Sequence, residues 1–129
     1  MEERSRKASA LLAGFGCAAA YLLAGKLLGM ALPAAQSGPA LLFKVCAAAP
    51  VAEELVFRGA VQHFLQPLGR REAILLQAVL FAAQHGSLAG AAYALSCGLL
   101  LGWLADRTGH LWPGMVLHSV NNLLVLAAG

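Results

Sequence analysis

The chain has 129 residues, of which 60% are hydrophobic and 12% are charged, whereas a soluble domain carries roughly 25% charged residues. So few polar side chains cannot cover a globular surface, which excludes an ordinary water-soluble domain. The formal net charge is +3, but the basic residues form no run or stripe, so we expect no nucleic-acid partner. The composition instead predicts an integral-membrane domain.

Taken in chain order, the apolar segments are separated by short connections that contain glycine, proline or charged residues. They predict an all-α, multi-pass transmembrane bundle of about five helices, at residues 8–31, 40–66, 72–87, 88–106 and 110–128. The first segment begins like a signal peptide, but its apolar stretch is too long for one, so we expect a retained helix. No repeat or linker divides the chain, so residues 1–129 are expected to form one domain.

The basic residues predict an orientation in the membrane. They lie before the first segment, after the second and after the fourth, at Arg4, Arg6, Lys7, Arg70, Arg71 and Arg107. The alternate connections, 32–39 and 86–90, carry no charge. Because positive charge stays on the cytoplasmic side, the N-terminus is predicted inside and the C-terminus outside.

Three ionisable residues interrupt the second segment, at Glu53, Glu54 and Arg58. Each costs about 2.5–3.5 kcal/mol at the centre of a membrane helix, so the group predicts a buried polar site. Glu54 and Arg58 are one helical turn apart, acid before base, and can neutralise each other. Glu53 points about 100° away. We therefore predict that Glu54 and Arg58 support the structure and that Glu53 is free for chemistry; the alternative is that both glutamates are structural.

Polar residues of two later segments lie at a similar depth. Counted from the inner helix ends, Glu53 and His85 both lie roughly 20 Å deep on antiparallel neighbours. His118 and Asn122 share one face of the last segment, at an overlapping depth. We predict that these four side chains converge, whereas Asn121 faces elsewhere and bridges helices.

A carboxylate, two histidines and an amide suit peptide hydrolysis, which needs a base, a donor for the leaving amine and donors for the oxyanion. Glu53, His85 and His118 could alternatively hold a catalytic zinc with one position open for water. Asn122 is a poor zinc ligand, and the chain has no His-Glu-x-x-His helix. We therefore favour a glutamate-activated water without a required cofactor, with zinc as the alternative.

Three segments resemble the motifs of the CPBP family, which comprises the CAAX prenyl proteases and their bacteriocin-processing or immunity relatives. They are Glu-Glu-Leu-Val-Phe-Arg at 53–58, Phe-Ala-Ala-Gln-His at 81–85 and His-Ser-Val-Asn-Asn at 118–122. Residues 100–114 are similar to the family's approach to the last motif. The resemblance covers about residues 45–126. It is specific because all three motifs occur together, in this order and at these spacings.

The resemblance implies an all-helical intramembrane endopeptidase. In it, the residues that match Glu53 and His85 activate water, and those that match His118 and Asn122 stabilise the oxyanion. Glu54 and Arg58 would support this site. The family has been described both as metal-dependent and as a glutamate type without metal, so both mechanisms stay open.

A short chain rich in alanine, leucine and glycine indicates a bacterial cytoplasmic membrane. We expect the substrate to be a membrane-anchored protein or peptide, such as a C-terminal sorting tail, as in the myxosortase-like relatives, or a bacteriocin leader. Two other classes remain: an immunity or partner-binding membrane protein without catalysis, and a carrier that uses the buried residues as a proton relay. A binding protein would tolerate Glu53→Gln, and a carrier would show flux in liposomes.

Overall fold

The computed structural model describes residues 1–31 and 38–129, which form helices and contain no strand. Five helices follow in chain order: α1 at Glu2–Ala31, α2 across 38–68, α3 at Arg70–Ala82, α4 at Leu88–Thr108 and α5 at Trp112–Ala128. The prediction of an all-helical chain with five helical segments is confirmed. Of the uncharged connection predicted at 32–39, residues 32–37 lie outside the described residues.

Helix α2 is built from short α-helical and π-helical pieces joined without a break in the right-handed backbone. The pieces are Gly38–Phe43, the π-helical Lys44–Ala48, Ala49–Glu53, the π-helical Glu54–Val61, Gln62–Leu65 and a 3₁₀ turn at Gln66–Leu68. In each π piece an N–H bonds to the carbonyl five residues back. Short π-helical segments inside α-helices are frequent at functional sites, and here two of them flank Ala49–Glu53.

Helix α2 lies at the centre and contacts the other four helices. On one side α1 packs against it antiparallel, with the Tyr21 and Phe57 rings 5.6 Å apart, edge to face. The buried apolar residues around this contact come from α1 to α4 and are Ala18, Phe57, Val61, Leu65, Ala73, Phe81, Ala82 and Ala94. This core fixes one face of α2 and leaves the face with the glutamates to α5.

Helices α3 and α4 form an antiparallel hairpin whose glycines allow close approach. Gln77 Nε2 donates to the Gly98 carbonyl at 2.8 Å, and Gln62 Nε2 of α2 donates to the Gly102 carbonyl at 3.0 Å. Helix α4 ends at Thr108 and is capped by Gly109, whose φ of +68° is a left-handed conformation that glycine adopts without a steric penalty. The turn returns the chain as α5, antiparallel to both α4 and α2.

Two of the described helices are long and apolar enough to cross a membrane, α1 over Glu2–Leu28 and α4 over Leu88–Thr108. The predicted segment 72–87 is wrong at its end, because α3 stops at Ala82. The His85 N–H turns back to the Ala82 carbonyl, and Ser87 caps the start of α4. At 1.5 Å per residue α3 extends about 20 Å, less than the roughly 30 Å of a bilayer's hydrocarbon core.

Candidate active site

His118 of α5 lies between the two glutamates of α2. Its Nδ1 is 2.9 Å from Glu54 Oε1, and its Nε2 is 3.5 Å from Glu53 Oε2. A carboxylate without its proton only accepts hydrogen bonds, so the Nδ1–H donates to Glu54. This bond leaves Nε2 as the ring atom that faces Glu53. The histidine is 5% exposed, so its orientation is set by these contacts and not by solvent.

Glu54 also neutralises a buried cation. Its Oε1 lies 3.0 Å from Arg58 Nη1, and both side chains are fully buried. The guanidinium carbon lies 4.5 Å from the centre of the Phe81 ring. Within the described part of the chain, the guanidinium nitrogens of Arg58 have no partner with hydrogen-bond geometry. The charge of Glu54 and the face of Phe81 are therefore what stabilise this guanidinium.

Close approach of α5 to Glu54 depends on Gly114. A Cβ built at this position would lie 2.9 Å from Glu54 Oε2, a distance that carbon atoms in folded proteins do not tolerate without a shift. The missing side chain lets the first turn of α5 pass directly over the carboxylate. Gly114 therefore sets the distance between α2 and α5 at the level of the site.

His85 is placed differently from the prediction, because it lies exposed in the turn after α3 and not inside a helix. Its Nδ1 lies 3.2 Å from the Phe81 carbonyl. The Phe81 ring lies 5.3 Å from the His85 ring and 5.8 Å from the His118 ring. Phe81 therefore stands beside both histidines. Over residues 38–129, no hydrogen bond joins His85 to Glu53.

Asn122 satisfies a backbone carbonyl that proline leaves without a donor. Its Nδ2 donates to the Val45 carbonyl at 2.9 Å. The α-helical donor for that carbonyl, the Ala49 N–H, bonds to Lys44 instead. The next donor along the chain would come from Pro50, which has no N–H. Asn122 thus fastens α5 to the π-helical turn that precedes the glutamates, and one of its two amide hydrogens remains free of this bond.

The arrangement of the described residues limits which side chains could hold a metal. Across residues 1–31 and 38–129, no three His, Cys, Asp or Glu side chains are grouped so that they could bind one ion. Glu53 and His118 approach each other, but His85 stands in the turn beyond Phe81. The zinc ligand set considered from the sequence is not assembled in this arrangement.

Comparison with protein-family models matches residues 35–124 to the type II CAAX prenyl endopeptidase Rce1-like model. The matched segment covers more than half of the 129 residues. It contains all the residues that the sequence assigns to the site, Glu53, Glu54, Arg58, His85, His118 and Asn122. No curated protein and no solved structure matches the chain. The chain belongs to the Rce1-like family of type II CAAX prenyl endopeptidases, a family of proteases.

Proposed function

We propose that the protein is an intramembrane endopeptidase that hydrolyses a peptide bond in a membrane-anchored protein or peptide. The observation that carries this proposal is the position of His118 between Glu53 and Glu54 in a chain of a protease family. A carboxylate next to an imidazole supplies both a base for water and a proton donor for the leaving amine. These are the groups that amide hydrolysis needs.

The two glutamates take different roles because they differ in access to water. The Glu53 side chain is 22% exposed, whereas that of Glu54 is fully buried and already faces Arg58 and His118. Glu53 therefore takes the proton of the attacking water. The hydroxide adds to the substrate carbonyl, and the proton passes to the amine as the peptide bond breaks. Glu54 holds Arg58 and His118 in place.

His118 and Asn122 are assigned to the oxyanion. With its Nδ1–H on Glu54, His118 in its protonated form would direct Nε2–H to the space beside Glu53 where the reacting carbonyl would lie, and the Glu54 carboxylate would stabilise the positive ring. Asn122 keeps one amide hydrogen beyond the bond to Val45. Two donors from adjacent turns of α5 would then face the negative oxygen.

His85 is assigned to water activation together with Glu53. Its Nδ1–H is directed at the Phe81 carbonyl, which leaves Nε2 of this exposed residue as an acceptor. From there His85 can hold the second hydrogen of the water that Glu53 deprotonates. No cofactor takes part in this scheme.

In the membrane, we propose that all five helices form the multi-pass bundle, with the N-terminus inside and the C-terminus outside a bacterial cytoplasmic membrane. The outer face of α1 supports contact with lipid, since Leu12 is 77% and Leu23 59% exposed. The substrate would reach the site through the bilayer. C-terminal sorting tails and bacteriocin leaders are the substrate classes that we propose first.

The test is a comparison of the membrane peptidome of cells with and without the protein, repeated with Glu53→Gln. Its matched control is Glu3→Gln, the same chemical change at a glutamate whose side chain is 73% exposed in α1. We expect specific cleavage products with the wild type and with Glu3→Gln, and none with Glu53→Gln. Undiminished cleavage by Glu53→Gln would refute the mechanism. An immunity or binding protein would keep its effect in that variant.

A further inference from the structure

A small pocket opens between α4 and α5 next to the candidate active site. Its volume is about 90 Å³, and it is lined by Cys97, Leu100, Leu101, Leu117, His118 and Asn121. Four of these side chains are aliphatic or a thiol, and His118 is shared with the site that contains the glutamates. The pocket is therefore an apolar extension of that site along the seam of the two helices.

The amide of Asn121 is held in one orientation at this pocket. The Tyr93 hydroxyl of α4 donates to Asn121 Oδ1, so the oxygen is engaged and Nδ2 is turned away from the tyrosine. Among the described side chains and carbonyls, none accepts a hydrogen bond from Asn121 Nδ2. Asn122 differs, because its Nδ2 is engaged by Val45. Asn121 thus offers two oriented donors beside His118.

The size of the pocket limits what can fill it. A cavity of about 150 Å³ with aliphatic walls holds a benzene molecule. A volume of about 90 Å³ is smaller by roughly two of benzene's six carbons, so the pocket suits the side chain of valine or leucine better than an aromatic ring. An oriented amide next to such a pocket fits a peptide, with one carbonyl on the amide and the neighbouring aliphatic side chain in the pocket.

We propose that Asn121 binds the substrate backbone, that Tyr93 positions it, and that the pocket beside them selects one aliphatic side chain of the substrate. This inference rests on the proposed endopeptidase function. It gives the two adjacent asparagines different roles. Asn121 holds the substrate at the α4–α5 seam, and Asn122 fastens α5 to α2.

The experiment uses the whole protein in liposomes and three membrane-anchored reporter peptides that differ only in carrying Ala, Leu or Phe in one short segment. Asn121→Asp keeps the size and the acceptor for Tyr93 but removes both donors. We expect its KM to rise about tenfold, the value of one hydrogen bond, with kcat changed less than about twofold. Tyr93→Phe should raise KM in the wild-type background and add nothing to Asn121→Asp. Ser96→Ala is the control, since that hydroxyl bonds within α4.

The pocket is tested with the same peptides. We expect the Leu peptide to be cleaved at least about tenfold more efficiently than the Phe peptide, and Leu117→Ala to remove this preference by enlarging the pocket. Equal KM for Asn121→Asp and the wild type would overturn the role of Asn121. Equal cleavage of the Leu and Phe peptides by the wild type would overturn the pocket.

Dissociation constants measured in the Glu53→Gln background separate this inference from the proposed function. A tenfold weaker Kd for Asn121→Asp there supports the binding site even if no peptide is cut, in which case only the proposed hydrolysis fails. Cleavage that depends on Glu53, combined with an unchanged Kd, refutes the binding site alone. Thermal unfolding of each variant confirms that the comparison is made between folded proteins.

Discussion

Replacing Glu54 by glutamine should destabilise the fold far more than the same change at Glu53. Glu54 Oε1 lies 3.0 Å from Arg58 Nη1 and 2.9 Å from His118 Nδ1, with no exposed side-chain surface. The neutral amide would leave the buried guanidinium without its counter-charge, which costs about 3–5 kcal/mol. Glu53 Oε2 lies 3.5 Å from His118 Nε2 and its side chain is partly exposed. Its replacement should cost less than about 1 kcal/mol.

Thermal unfolding of both variants in one detergent measures this difference. Unfolding free energies are about 5–15 kcal/mol, and 1 kcal/mol shifts Tm by about 4 °C in a chain of this size. We therefore expect Glu54→Gln to lower Tm by about 12–20 °C. Glu53→Gln should keep Tm within about 4 °C while losing cleavage. Equal losses of Tm in the two variants would refute the division of roles between the glutamates.

Three further predictions concern the site, the orientation and the metal. Gly114→Ala brings a Cβ within 2.9 Å of Glu54 Oε2 and should slow cleavage by about 10²-fold. The control is Gly16→Ala, where the added Cβ would meet no atom within 4 Å, and this variant should keep the initial rate unchanged. A reporter fused after Gly129 should be active outside and one after Arg71 inside; the reverse pattern contradicts the orientation. Cleavage should survive washing with a strong chelator, and a stoichiometric metal that tracks activity in elemental analysis would support zinc.

The number of helices could be predicted from the sequence because apolar segments alternate with short connections that contain proline, glycine or charge. The end of α3 could not be predicted from the sequence. Ala83 and Gln84 are good helix formers, so nothing before Gly86 signals a stop. The helix ends because Ser87 caps the next helix and the His85 N–H bonds to Ala82. These local hydrogen bonds place His85 outside the helix, and the periodicity of the apolar residues does not reveal them.

The residue types of the site could be chosen from the sequence, but their contacts could not. Ideal helical geometry predicts that the Glu53 and Glu54 side chains point about 100° apart. It does not show that a third side chain can lie between them. His118 does so by presenting its two ring nitrogens to different carboxylates. The contact comes from the antiparallel packing of α5 on α2, which depth counted along each helix cannot specify.

Pro50 links the irregular backbone of α2 to the chemistry proposed for Glu53. Without an N–H at residue 50, the Val45 carbonyl cannot complete the ladder of α2, and a partly buried carbonyl without a donor costs up to about 1–3 kcal/mol. Asn122 removes that cost from the opposite helix. The same bond fixes the rotation of α5, and His118 lies one turn before Asn122. The proline that interrupts α2 thus helps to define where the imidazole meets the glutamates.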